Sequence, residues 1–362
     1  MASAASRSTV ARRSASRRRS DGASSDRALS TNPRYVTEGA ARGARAPFRS
    51  TVRDVSHSPL ALAALATIAV PGIDIYDVLR SPNADADFDV VTVVDPTGKR
   101  WTVRAPRRPA AGAALEAELG LLAALGLVCD AGDLGFDVPR PRGTAPLDEG
   151  GRAVVYEEIR GKRLSLAGLE PGSSLAASIG RAIAEIHELS ISIIEDTGLP
   201  SYTPETYRQR RLAELDAAAQ TGKVPPSLSG RWEERLENVA WWRFEPAVVH
   251  GGLAEHQWIV TDGAVSGLLG WADARVADPA DDLAWLIAAA PTDVFESVLE
   301  AYMLGRREFL DPHLTDRAAL ASEFALARWL MHGVRTSSPD IVRDAEGMLA
   351  DLETLLRESG EI

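Results

Sequence analysis

Residues 248–263, VVHGGLAEHQWIVTDG, have the types and spacing of a site that could do chemistry. A short apolar strand ending at Val249 runs into His250-Gly251-Gly252. A second apolar strand, Trp258-Ile259-Val260, then precedes an Asp262-Gly263 turn. Strand, tight polar loop, strand is a frequent support for a catalytic carboxylate held over a bound phosphate. Such chemistry needs a carboxylate to accept a proton and hard oxygen ligands for magnesium, usually including one or two carboxylates. Yet the loop opens on two glycines, and the acids near it are Glu255, Asp262 and, further on, Asp273.

The elements that must position these residues follow from periodicity. Leu60 to Ile68 suits a short apolar helix ended by Pro71-Gly72, and FDVVTVVDPTGKRWTVRAPR (88–107) alternates around Asp95-Pro96-Thr97-Gly98 as a β-hairpin. AALEAELGLLAALGLV places leucines at helical spacing; Pro139 and Pro141 then break the chain, and Ala153 to Tyr156 supplies another strand. Beyond about residue 162 the pattern turns helical, with Leu175, Ile179, Ile183, Ile186 and Leu189 on one face. Thr203 and Asp278 are expected helix caps, each followed by Pro at the first helical position, and Asp281 and Asp282 suit a helix start. Two apolar helices, about 315–334 and 339–357, close the chain. His187 and His332 read as satisfied helix histidines, and Trp258, Trp271 and Trp285 as packing residues.

Composition narrows the function classes. A single cysteine, Cys129, excludes an internal disulfide and points to a reducing, cytoplasmic setting. The apolar run Leu60 to Val70 is too short to span a bilayer, so no membrane role is expected. Residues 1–56 hold twelve arginines against four acids, which leaves the remaining chain more acidic than the net charge of −11 implies. An acidic body disfavours nucleic acid and suits a small cationic partner. The basic segment 1–56 lacks hydrophobic periodicity and is expected to be a disordered tail, with Val55 a candidate for the true start.

In their order and spacing, WTVRAPRR, YRQRRLAEL, VVHG, GLLGWADARVADPADDLAW and ARWLMHGVRT resemble motifs of the aminoglycoside and macrolide phosphotransferases. The similarity covers residues 58–357 and points above all to the macrolide 2'-phosphotransferase branch. It implies a two-lobed, protein-kinase-like α+β fold, with a small β-rich N-lobe facing the nucleotide (57–161) and a larger helical C-lobe (162–362). It also implies ATP or GTP with Mg2+, and a cationic substrate of macrolide or aminoglycoside type. Laid on this sequence, His250 and Gly251 match the family loop, but its catalytic Asp falls on Gly252. The neutral metal ligand falls on Gln257, beside His256, and the metal-binding Asp on Gly270, in LLGW where the family reads Ile-Asp-Trp. Both carboxylates are absent, which implies a catalytically impaired, pseudokinase-like protein that binds a small cationic ligand or a protein partner. The alternative is an active O-phosphotransferase in which Glu255 or Asp273 stands in. Arg104 takes the place of the phosphate-pairing lysine and Glu118 that of its ion-pair partner, although an ordinary strand–helix pair would look the same. The segment SPNADADFDV, with three aspartates and no glycine, is a poor phosphate cradle.

Overall fold

The computed structural model describes residues 57–80, 87–307 and 312–362; the basic segment 1–56 and most of SPNADADFDV lie outside them. The chain starts with α1 (Pro59–Ala69), whose N-cap Ser58 accepts a hydrogen bond from the Ala61 N–H. Five strands follow in one antiparallel sheet: β1 (Asp77–Arg80), β2 (Phe88–Val94), β3 (Arg100–Pro106), β4 (Arg140–Pro146) and β5 (Arg152–Glu157), in the order β1-β2-β3-β5-β4. The expected hairpin is β2–β3, with Val91 opposite Val103. Side chains alternate across each strand. Val91, Val93, Val103 and Val155 therefore pack under α1, while Phe88, Val154 and Tyr156 face α2 (Pro109–Ala131).

The strand β4 was not expected, because Pro139 and Pro141 read as breaks. It lies at the sheet edge, where a residue without an N–H costs no ladder bond, and its register shifts between Pro141 and Gly143. Gly143 is required there: any side chain would collide with the Ala69 carbonyl at the end of α1.

Among the described residues, α2 is the one helix long and apolar enough to cross a membrane. Leu115, Leu121, Leu122 and Leu125 are nonetheless buried in the core, and the helix packs on β3, β4 and the Trp271–Asp273 turn. It is a core helix of the fold, holding Glu118 over the sheet.

The second half begins with the short β6 (Lys162–Arg163) and α3 (Ser174–His187), then α4 (Ser192–Glu195), α5 (Pro204–Ala219) and α6 (Pro226–Glu237). Thr203 caps α5 as expected, accepting from the Thr206 N–H at 3.2 Å. Two small sheets carry the loop of interest. In one, β7 (Ala247–Val249) pairs antiparallel with β10 (Arg275–Ala277); in the other, β8 (Trp258–Thr261) lies between β6 and β9 (Ala264–Leu268). The helices α7 (Ala284–Ala289), α8 (Thr292–Gly305), α9 (Leu314–Arg335) and α10 (Pro339–Glu358) complete the chain. Against α3 packs α8, while α9, α10, α5 and α6 enclose a second core around Trp232, Phe324 and Leu330. The α+β architecture is the expected one.

Candidate active site

Entirely buried, β7 delivers His250 to a carboxylate that receives two successive backbone N–H groups. The His250 N–H donates to Asp282 Oδ2 at 2.7 Å and the Gly251 N–H to Oδ1 at 2.8 Å. Behind Asp282 stands His187 of α3, whose Nε2 donates to Oδ2 at 3.3 Å while its Nδ1 accepts from the Tyr302 hydroxyl at 2.9 Å. Four elements thus meet at the start of the loop, and a buried carboxylate is held by charge-assisted hydrogen bonds. Asp282, expected only as a helix-start residue, is what positions the loop.

The imidazole of His250 is wholly buried against Trp271, with ring centroids 4.8 Å apart, and its Nε2 donates to the Leu269 carbonyl at 2.9 Å. Among the described residues its Nδ1 is buried with no hydrogen-bond partner. Burial holds the imidazole below its ordinary pKa, against the pull of Asp282. The folded ring therefore resists protonation, and the unfolded chain takes up the proton first. Stability is complete above the unfolded value of about 6.5 and is lost as pH falls through the lower folded value, by up to about 1.4 kcal/mol per pH unit. Melting temperatures between pH 7 and pH 5.5 are expected to fall less steeply in His250→Gln than in wild type. Equal slopes would remove His250 as the cause.

Gly251 is left-handed (φ 76°), and a side chain there would strike the Arg275 guanidinium and the Asp273 carbonyl. Arg275 donates to that carbonyl at 2.8 Å and to Asp281 Oδ2 at 2.5 Å. Asp281 also receives the Tyr207 hydroxyl at 2.5 Å and Arg211 at 3.1 Å. Burial alone would raise its pKa, but Arg211 and Arg275 outweigh that and hold the carboxyl well below the usual range. Asp278 caps its turn, accepting from Ala280 at 3.0 Å as expected, and also receives Arg317 at 2.6 Å and 3.0 Å.

Neither Gly252 nor Gly270 borders open space. A Cβ on Gly252 would lie 3.1 Å from Asp273 Oδ2. Gly270 is left-handed (φ 84°), and a Cβ there would lie 2.6 Å from Gln257 Nε2. The register of β8 with β9 produces this second contact: Trp258 faces Leu268, and the Leu269 N–H donates to the Gln257 carbonyl at 3.0 Å. The Oε1 of Gln257 accepts from the Ala254 N–H at 3.0 Å. The Gln257 side-chain oxygen thus holds the loop, and the amide lies against the face of Gly270. Among the described residues no group of three His, Cys, Asp or Glu side chains is placed to hold a metal ion. These residues do not fit a magnesium centre, which prefers near-octahedral oxygen ligation with one or two carboxylates.

Of the three candidate replacement acids, Glu255 is committed elsewhere, its Oε1 accepting from the Leu166 N–H at 2.8 Å. Asp262 lies exposed in the β8–β9 turn at φ 52°, as expected. Asp273 is the one of the three whose carboxylate lies beside Gly252. On the sheet, Arg104 Nη1 pairs with Glu118 Oε2 at 2.6 Å, and the guanidinium lies 3.6 Å from the centroid of the Phe88 ring. Alternation along β3 puts Arg104 on the face toward α2, so the expected pair forms.

The model of the phosphotransferase enzyme family matches residues 78–334. The chain belongs to this family. It is similar to the apoenzyme structure of the macrolide 2'-phosphotransferase MphH from Brachybacterium faecium, at 25% identity and a TM-score of 0.68, over 79% of this chain and 97% of that one. The GDP and kanamycin complex of APH(2")-IIia shares the fold at 17% identity and a TM-score of 0.68, over 82% of this chain and 99% of that one. The kinase-like fold is therefore the observed one. Among curated relatives, the uncharacterized protein YcbJ of Bacillus subtilis (strain 168) is 29% identical over 209 residues, 54% of this chain and 65% of YcbJ. The match thus spans just under two thirds of that relative.

Within this phosphotransferase-family chain, several residues at the site gave little sign in the sequence. Asp282 and Asp281 sit in DPADDLA, where a helix start explains acids well enough. Tyr207 and Arg211 stand one turn apart on α5, a spacing that marks a shared helix face but not its partner. Trp258 and Trp271 are fully buried as expected, Trp285 stacks on Trp258 at 5.9 Å, and His332 stacks on Trp329 at 5.4 Å.

Proposed function

We propose that this phosphotransferase-family protein binds a small cationic ligand of macrolide or aminoglycoside type, with metal-dependent phosphotransfer disabled. The observation that carries this reading is the Gln257 amide, which lies against Gly270 with its oxygen committed to the Ala254 N–H. Loss of a general base costs about 10² to 10⁴ in rate, and loss of the metal carboxylate is a separate cost. Starting from a kinase turnover of about 1 to 100 per second, little transfer remains. The acidic body supports a cationic ligand, and the likeness to a macrolide 2'-phosphotransferase at 25% identity supports the ligand class. In this reading residues 57–161 form the nucleotide-facing lobe with Arg104 and Glu118, and residues 162–362 form the ligand lobe with His250. ATP or GTP binds weakly and without regard to Mg2+, and the protein works in the cytoplasm. A protein partner on the acidic lobe is an outcome of the same test.

A second reading, an active ATP- or GTP- and Mg2+-dependent O-phosphotransferase, is favoured by the carboxylate of Asp273 beside Gly252. Transfer from labelled ATP and GTP to a panel of macrolides and aminoglycosides separates the two. The expected result is binding of a panel member without transfer above background, and nucleotide affinity unchanged by EDTA. Magnesium-dependent turnover in the ordinary kinase range would overturn the first reading and establish the second.

A further inference from the structure

We infer that Asp273 supplies, from the turn before β10, the ligand-accepting carboxylate that the loop after β7 lacks at Gly252. The inference rests on the ligand class proposed above. Its geometric basis is the antiparallel pairing that sets Arg275 opposite Val249 and Val276 opposite Val248. Continuing that ladder carries Asp273 alongside Gly251-Gly252, although the β8–β9 hairpin separates them in sequence. The result is Asp273 Oδ2 at 3.1 Å, and its Cβ at 3.6 Å, from the point where a side chain on Gly252 would begin.

The backbone of Asp273 is fixed on both sides. The Ala274 N–H donates to the Trp271 carbonyl at 3.2 Å, and Arg275 donates to the Asp273 carbonyl at 2.8 Å. The carboxylate itself is exposed, and among the described residues it has no hydrogen bond or ion pair. An aspartate that served only the fold would be expected to cap, pair or bridge, as Asp278, Asp281 and Asp282 all do. Asp273 instead offers solvent an acceptor of full charge on a rigid support, next to a glycine whose missing side chain leaves it accessible. A hydroxyl or ammonium group of a polyhydroxylated amine entering over the loop meets this carboxylate first. A second acid at 252 would face Asp273 at close range and be repelled.

Two measurements test this. The first needs no ligand. Gly252 has an ordinary φ, so aspartate costs little backbone strain there, and Gly252→Asp is expected to lower the melting temperature by several degrees at low salt. Gly252→Asp/Asp273→Asn is expected to recover that loss, and so is 1 M salt, which screens exposed charges. A Gly252→Asp protein as stable as wild type would overturn the placement. The second uses kanamycin and a macrolide as probes in calorimetric titrations. Asp273→Asn and Asp273→Ala are expected to weaken binding at least about tenfold, the scale of one charged hydrogen bond. Asp262→Asn, which removes the same charge from the neighbouring turn, is expected to leave binding unchanged. Gly252→Asp/Asp273→Asn is expected to restore it. Equal losses in Asp262→Asn and Asp273→Asn would reduce the effect to net charge and overturn the inference. If no probe binds wild type, the proposed ligand class fails and the ligand-accepting role of Asp273 fails with it, while the stability comparison still decides its placement beside Gly252.

Discussion

Gly252→Asp/Gly270→Asp is expected to show no magnesium-dependent nucleotide binding, whereas adding Gln257→Asn to that pair is expected to create it. The difference lies in what already occupies the site. A Cβ at position 270 falls 2.6 Å from Gln257 Nε2, so the amide must swing away and give up the Ala254 N–H it now accepts. The new carboxylate and the displaced amide then compete for one space. Asparagine is shorter by one methylene and keeps a neutral oxygen donor. Position 270 is left-handed, a conformation aspartate tolerates better than most residues at a cost of about 1 kcal/mol. At position 252 the new acid faces Asp273, and a bound cation offsets that repulsion. In calorimetry with ATP and GTP, magnesium should strengthen binding at least about tenfold in the triple variant and have no effect on the double variant or wild type. A double variant that binds magnesium-nucleotide as well as the triple would show that Gln257 is no obstacle.

Asp282→Ala is expected to destabilise the fold by about 3–5 kcal/mol, a large share of the roughly 5–15 kcal/mol that holds a typical domain together. The carboxylate is fully buried and receives the His250 and Gly251 N–H groups and His187 Nε2. Its removal leaves two buried donors and one half-buried donor without an acceptor, each buried one costing about 1–3 kcal/mol. Asp282→Asn should recover little, because its amide keeps one accepting oxygen and presents a donor to groups that are themselves donors. Urea unfolding measures the difference, and an alanine variant within about 1 kcal/mol of wild type would mean that water or a shifted loop satisfies these groups. Because Asp282 fixes the first two residues of the loop, its loss should also abolish whatever ligand binding the wild type shows.

Much of this was legible along the chain because its physical cause is local. Period-two alternation gave the β2–β3 hairpin, and 3.6-residue periodicity gave α3, α9 and α10 close to their observed bounds. Thr203 and Asp278 cap as their side chains dictate. Family membership rests on residue identity and spacing, so it was legible in the sequence alone. The ion pair of Arg104 and Glu118 was expected from strand and helix periodicity and forms; whether it serves a nucleotide or only the fold was left open by the sequence.

What the tertiary structure decided was the company those positions keep. No local signal tells that β7 pairs with β10 across an intervening hairpin, yet that pairing brings Asp273 to Gly252. Nor does spacing reveal that the Gln257 amide turns toward Gly270, because a side-chain rotamer answers to its hydrogen-bond partner, here the Ala254 N–H. The edge position that tolerates prolines in β4 is likewise a property of the finished sheet. Asp281 and Asp282 carry the same local propensity, and only their neighbours separate them: three cationic or hydroxyl donors for one, two loop N–H groups and a histidine for the other. Propensity and periodicity act over a few residues, whereas the electrostatics of this site arise between strands and helices that meet only once the chain has folded.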